Sequence, residues 1–396
     1  MQKLFKRIVI LLICISFIPL LSSAQTNDYI SHRAKNIIIM IPDGMGLSDV
    51  TAARIYKNGP NGAPLYFETL PNIGYQRTHS ANSTVTDSAA AASAWACGEK
   101  FNNDEIGYHS EDGSYNPTIL ELAKYKGKAT GLVATSTITH ATPAVWGAHV
   151  NSRSCETEIA RQYIEATGVD VMFGGGRKKF NPDTPDKCGV SGDFIKMAEE
   201  KGYAVVYTKS QMEEAVGRGA KKLLGLFADD ALTPEKDRPV DTEEPRLPEM
   251  TKAALALLEK NRNGFFLMVE GSQVDWANHG NDLEYQITET LAFDEAVKVA
   301  LDWINASSRR KSETLLIIVA DHDCGGFAVN GPYGRLAKAG EFVEAGWTSK
   351  GHTAQDTIVW SQGPGSYKLG RAIDNTDLYY VMREALGYKV SGKQNK

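Results

Sequence analysis

Cysteine is scarce, with five in 396 residues, and no pair is spaced C-x-x-C or set in a Cys/His zinc-finger pattern. That excludes a disulfide-framework miniprotein, a thioredoxin-type redox motif and a finger domain. Basic residues are in slight deficit, 43 against 48 acidic, for a net charge of −5. Such a chain has no global electrostatic reason to bind nucleic acid or an anionic membrane. No G-x-x-x-x-G-K-[ST] segment occurs, and Gly174-Gly175-Gly176-Arg177 lacks the required lysine. A P-loop nucleotide cradle is therefore unsupported, and the glycine run reads as a tight structural turn. Repeats and low-complexity segments are absent from the sequence too. At 42% hydrophobic and 23% charged, the composition excludes disorder, coiled coil and collagen as the main character.

One apolar run stands apart, Ile8 to Leu21, preceded by Lys3, Lys6 and Arg7 and followed by Ser22-Ser23-Ala24. This is the layout of a secretory signal peptide cut after Ala24. The run is shorter than the roughly 20 residues that span a bilayer. Residues 1–24 are therefore expected to be removed, leaving 25–396 as one exported domain, periplasmic or secreted, with no membrane attachment. Loss of three basic residues takes the net charge from −5 to −8. An oxidising compartment permits cysteine pairing. Cys155 and Cys188 are the preferred pair, while Cys97, in an alanine-rich helical stretch, reads as a buried small hydrophobe.

Apolar, β-branched runs alternate with helical patterns along the rest. Ile37–Ile41, Phe265–Val269 and Leu315–Ala320 read as buried strands. Weaker strands are expected at 129–134, 169–173, 204–207, 222–227 and 357–360, and helices at 117–126, 155–166, 248–260 and 283–305. Residues 231–248 read as a surface loop. The alternation predicts an α/β fold: a large, mostly parallel central sheet with helices on both faces. Ligands of such sheets bind beyond the carboxyl ends of the strands.

Several strand ends carry chemistry. Asp43 follows the first strand in Pro42-Asp43-Gly44-Met45-Gly46, where it suits either a cation or a turn. Ser88 begins an alanine run, so it sits in a helical first turn whose free N–H groups favour an anion. The same segment also reads as a plain helix cap by Asp87 or Ser88. Glu270, Asp275 and His279 lie within ten residues after a buried strand, and Asp275 and His279 are one helical turn apart. Asp and His suit zinc, and Glu270 suits a harder ion such as magnesium. Asp321 and His322 follow another strand directly, and His352 precedes the last one. This donor supply is enough for two zinc sites and one oxygen-rich site, and paired metals are a standard clamp in phosphoryl transfer.

Seven segments in order resemble the alkaline phosphatase family: Pro42 to Gly46, Val85 to Ala90, His140 to Ala144, Asn151-Ser152-Arg153, Glu270 to His279, Ala320-Asp321-His322 and Gly351-His352-Thr353. The resemblance covers most of the chain beyond the leader. It implies a broad phosphate monoesterase acting through a phosphoserine on Ser88, with two zinc ions and one magnesium. It further implies that Asp275, His279 and His352 hold one zinc, and that Asp43, Asp321, His322 and Ser88 hold the other. Asp43, Thr142 and Glu270 resemble the magnesium ligands, and Arg153 the fork that grips two phosphate oxygens. His140 and Trp276 stand where Asp and Lys are often found, beside the phosphate and magnesium positions. Loss of that carboxylate implies weaker magnesium binding, and a protonated His140 would hold phosphate tighter.

The stretch 323–350, expected to form a short elaboration above the site, leaves the family's usual homodimer open. Small phosphate monoesters are the implied partners. A phosphodiesterase or sulfatase on the same fold and metals is the alternative. The absence of a C-x-P-x-R segment counts against a sulfatase with a cysteine-derived nucleophile, and Arg153 favours the dianionic monoester. A phosphate- or metal-binding protein without turnover is disfavoured by the intact nucleophile and ligand set.

Overall fold

Three apolar runs show no polar alternation, and a strand of that kind must be covered on both faces. The computed structural model, which describes residues 33–181 and 184–389, places all three side by side at the centre of a ten-stranded sheet. In chain order the strands are β1 (Asn36–Pro42), β2 (Asn72–Arg77), β3 (Ala129–Thr137), β4 (Val171–Gly175), β5 (Ala204–Val206), β6 (Leu223–Leu226), β7 (Phe265–Gly271), β8 (Thr314–Val319), β9 (Thr357–Gln362) and β10 (Ala372–Asp374). Their spatial order is β10-β2-β9-β8-β1-β7-β3-β4-β6-β5. Only β9 runs antiparallel to its neighbours in this sheet.

The two-residue period of the strands sorts their side chains into two cores. Ile37, Ile39 and Ile41 join Phe266, Met268, Leu315 and Ile317 on one face. Ile38 and Met40 join Phe265, Leu267, Leu316 and Ile318 on the other. Helices cover both. The labelled ones are α1 (Leu47–Asn58), α2 (Ser88–Cys97), α3 (Ala141–Gly147), α4 (Gln273–Gly280) and α5 (Leu283–Asn305). α2 and α3 lie over the first core, and α1, α4 and α5 over the second. Burying a Leu or Ile side chain is worth about 1.5–3 kcal/mol, so this two-sided burial fixes the register of the central strands.

The expected helices form at Ile119–Tyr125, Glu156–Gln162, Leu247–Leu258 and Leu283–Asn305, the second continuing as a wider turn through Thr167. The glycine run is not a turn throughout: Gly174 and Gly175 end β4, and only Gly176 turns the chain out of the strand. A Cβ on Gly175 would lie 1.9 Å from the Asp230 carbonyl, and Gly176 has φ +94°. Loop 231–248 is pinned by Arg238, which is buried and donates to the Thr233 and Pro245 carbonyls. Cys155 and Cys188 form a disulfide, and Cys97 is a buried free thiol. Residues 323–350 build a small crown, with a hairpin pairing Ala328–Gly331 to Glu344–Gly346. Phe327 and Val343 anchor it on Ala52 and Ile287. The expected leader lies outside the described residues, among which no helix is long and apolar enough to cross a membrane.

Candidate active site

Parallel pairing aligns the strand ends, so the residues just beyond them collect in one place. Ile41 of β1 pairs with Glu270 of β7, which puts Asp43 and Glu270 side by side. Asp321 and His322 follow β8, the central neighbour on the other side. Gly44 makes this crowding possible. Its φ of +70° suits glycine, and a Cβ there would lie 2.7 Å from the Asp275 Cα. β1 can therefore end directly against α4. The Gly44 N–H donates to Asp321 Oδ1 at 3.0 Å and holds that carboxylate in place.

Both local expectations for the Ser88 segment, a first-turn serine and a capped helix, are met. Asp87 caps α2, its Oδ1 accepting from the Ala90 N–H at 2.9 Å, and Ser88 is left free in the first turn. The helix is buried on every side because alanine makes up most of it. Ser88 itself is 1% exposed, and its Oγ lies 3.2 Å from His322 Nε2. Unpaired N–H groups and the helix dipole give this end a partial positive charge.

His322 Nε2 lies 3.2 Å from Asp321 Oδ2 and 3.6 Å from Asp43 Oδ1. The Thr142 hydroxyl donates to Asp43 Oδ2 at 3.4 Å. On α4, Asp275 Oδ2 is 3.3 Å from His279 Nε2, and Asp275 Oδ1 is 3.5 Å from His352 Nε2. The His322 and His352 rings stack at 3.5 Å, joining the two halves. Arg153 reaches Asp87 Oδ2 at 3.0 Å through Nη1 and donates through Nη2 to His140 Nε2 at 3.3 Å. Trp276 stands edge-on to His140, 6.0 Å between centroids. Every sequence-predicted site residue thus falls in one connected cluster.

The donor set fits cations. His352 directs Nδ1 at the Thr86 carbonyl at 2.9 Å, and His279 directs Nδ1 at the Lys350 carbonyl. In neutral rings that donate from Nδ1, both Nε2 atoms carry lone pairs, and they face each other at 3.2 Å, which calls for a proton or a cation between them. Asp43, Glu270, Asp275 and Asp321 are all buried. Asp43 Oδ1, Glu270 Oε1, Asp275 Oδ1, Asp321 Oδ2, His322 Nδ1 and His140 Nδ1 lack hydrogen-bond partners. Buried charge without a partner is costly. Donor atoms within 4.8 Å of one another form three groups: Asp275/His279/Cys324/His352, Asp43/Asp275/His322 and Asp43/His140/Glu270.

The metal-free chain relieves this crowding by holding protons. Burial, with Asp321 and Asp275 nearby, pushes Asp43 well above the usual carboxylate range, and burial raises Glu270 to about 7. Burial would also raise Asp275, but hydrogen bonding to His279 and the charge of His322 hold it low. That hydrogen bond raises His279 to about 9. Burial and the Arg153 guanidinium lower His140 to about 4, which favours the neutral imidazole in the metal-free chain.

A pH dependence follows. The folded-state value of Glu270 is about 7 against an ordinary 4.5. Its contribution to stability is therefore full below the lower value and lost as pH rises through the upper one. The metal-free protein should show a Tm that falls between about pH 5 and about pH 8, and divalent cations should restore more at the higher pH, where ligands need not lose protons. Equal restoration at both would contradict the assignment of these carboxylates to a cation.

The sequence marked Asp87 only as a cap and gave Cys324 no part in the site. Asp87 both caps α2 and anchors Arg153, a double task visible only once residues 66 apart are in contact. Cys324 belongs to the first donor group, and its position two residues after His322 was the only signal.

The sequence profile of the family described as alkaline phosphatase matches residues 34–341. Alkaline phosphatase 3 of Bacillus subtilis is 33% identical, over 94% of this chain and 93% of its own. The alkaline phosphatase of the Antarctic bacterium TAB5 superposes with a TM-score of 0.77 at 30% identity, covering 90% of this chain and 99% of that one. A histidine-to-aspartate mutant of the TAB5 enzyme, solved with Mg bound in the M3 site, also gives 0.77, at 29% identity and the same coverage. These matches place the protein among the hydrolases of phosphate esters. It belongs to the alkaline phosphatase family, and it is a phosphomonoesterase.

Proposed function

We propose that the protein hydrolyses a broad range of phosphate monoesters through a phosphoserine formed on Ser88, using two zinc ions and one magnesium. The observation that carries this is the Ser88 hydroxyl, buried at a helix N-terminus and 3.2 Å from His322 Nε2, beside three cation-sized donor groups. Asp275, His279 and His352 would hold one zinc, and Asp43, Asp321, His322 and Ser88 the other. Asp43, Thr142 and Glu270 would hold magnesium, with His140 at its edge. When bound, these ions supply Lewis-acid stabilisation to the attacking and departing oxygens.

The chain's own groups do the rest. Ser88 Oγ gives up its proton to solvent and attacks phosphorus in line, the P–O ester bond breaks, and the ester oxygen leaves as the alcohol after taking a proton from solvent. Water then cleaves the serine phosphate, regenerating the hydroxyl and releasing inorganic phosphate. Arg153, poised between Asp87 and His140, grips two phosphoryl oxygens with its planar fork. The N–H groups at the start of α2 face the same charge. These residues all address the phosphoryl group and none the alcohol, which supports a wide leaving-group range.

Release of product from a monoester, a diester and a sulfate ester, measured side by side, tests the reading. Turnover concentrated on the monoester is expected, and a preference for either alternative would overturn it. We propose export as well, on the basic start, the apolar run and Ser22-Ser23-Ala24. N-terminal sequencing should begin near Gln25, and a mature chain starting at Met1 would contradict export.

His140→Asp should raise magnesium affinity by about tenfold or more, because a carboxylate in place of a neutral imidazole adds ligand charge for a hard ion. Phosphate should inhibit the variant less, since the new charge repels it and takes up part of Arg153. Magnesium titration and phosphate inhibition of both proteins check this; two unchanged constants would reduce His140 to a packing residue.

A further inference from the structure

The crown contributes one residue to the site that the phosphatase reading does not use. Cys324 lies in the two-residue strand Asp323–Cys324, paired antiparallel with His352–Thr353, and the register sets Cys324 directly opposite His352. Directly opposed residues of an antiparallel pair project to the same side. The Cys324 N–H is fixed by the Gly44 carbonyl at 3.1 Å, which ties the strand to the turn after β1. Cys324 has no solvent exposure. Its Sγ and the donor atoms of Asp275, His279 and His352 all lie within 4.8 Å of one another. Asp275 Oδ1, buried in this group, has no hydrogen-bond partner.

We infer that Cys324 is a direct thiolate ligand of the ion held by Asp275, His279 and His352, making that centre a four-donor Asp/His/His/Cys site. The inference rests on the reading of those three residues as ligands. Binding exchanges the thiol S–H bond for an Sγ–metal bond, with the proton released to solvent. A soft donor selects zinc over magnesium and other hard ions. The substrate oxygen still has access, because zinc accepts a fifth donor during reaction.

The experiment is cobalt(II) substitution of the metal-stripped full-length protein, followed by absorption spectroscopy. Wild type should show cobalt ligand-field bands together with a near-ultraviolet thiolate-to-cobalt charge-transfer band. Cys324→Ser should keep the former and lose the latter. Cys97→Ala, which changes the other free thiol among the described residues, should keep both. Zinc affinity of Cys324→Ser should fall by more than the roughly 10–100-fold that loss of an outer partner costs. Ligand-field bands without charge transfer in wild type, or a charge-transfer band that survives Cys324→Ser, would overturn the inference and leave the three-ligand reading intact. Absence of all cobalt bands would overturn both.

Discussion

Ser88→Ala should lower monoester turnover by about a thousandfold or more, with thermal stability close to that of the parent. Among the described residues the hydroxyl's hydrogen-bond partner is His322 Nε2, and alanine, which has the highest helix propensity, would simply extend the run of four alanines that follows. The cap is made by Asp87 and is untouched. The loss therefore reports chemistry and not folding. Some activity should remain, since water can attack the bound phosphoryl group directly in a site still lined by Arg153 and the helix N-terminus. Turnover near that of the parent would rule out Ser88 as the nucleophile.

Exhaustive chelation should have the second largest effect, abolishing turnover and lowering Tm. Four carboxylates and the facing nitrogens of His279 and His352 are crowded into one buried cluster. Removing the cations leaves charge that only protonation can relieve, as the raised Asp43 and Glu270 show. Zinc together with magnesium should restore activity. Magnesium alone should not, because imidazole suits zinc and is a poor donor to magnesium. Metal analysis beside activity checks this, and full turnover in protein verified as metal-free would contradict it.

The centre of the fold was legible because its strands are covered on both faces, and unbroken runs such as Ile37–Ile41 have no other stable place. Asp43, Glu270, Asp275, His279, Asp321 and His322 were legible as candidate donors for the same reason, since they follow those runs, whereas Ser88, Thr142 and His352 follow none of them. The sheet margin was less so. β2 alternates exposed and buried residues around Gly74, and β10 is only three residues long, so neither rises above the background of a polar loop. α1 mixes Arg54 and Lys57 with its buried Val50 and Ala53, and its apolar face becomes evident only against α5 and the crown. The neutrality of His140 depends on burial and on an arginine 13 residues away, and Cys324 acquires meaning only opposite His352. Those contacts are tertiary, and local pattern carries no trace of them.

The central claim is that phosphate passes through Ser88. Its most direct measurement is acid quenching of the metal-loaded enzyme during turnover of a monoester, followed by peptide mass mapping. The account predicts a phosphoryl group on the peptide containing Ser88 and none there in Ser88→Ala. A fully active enzyme with no phosphorylated peptide, or with phosphate on another residue, would contradict it.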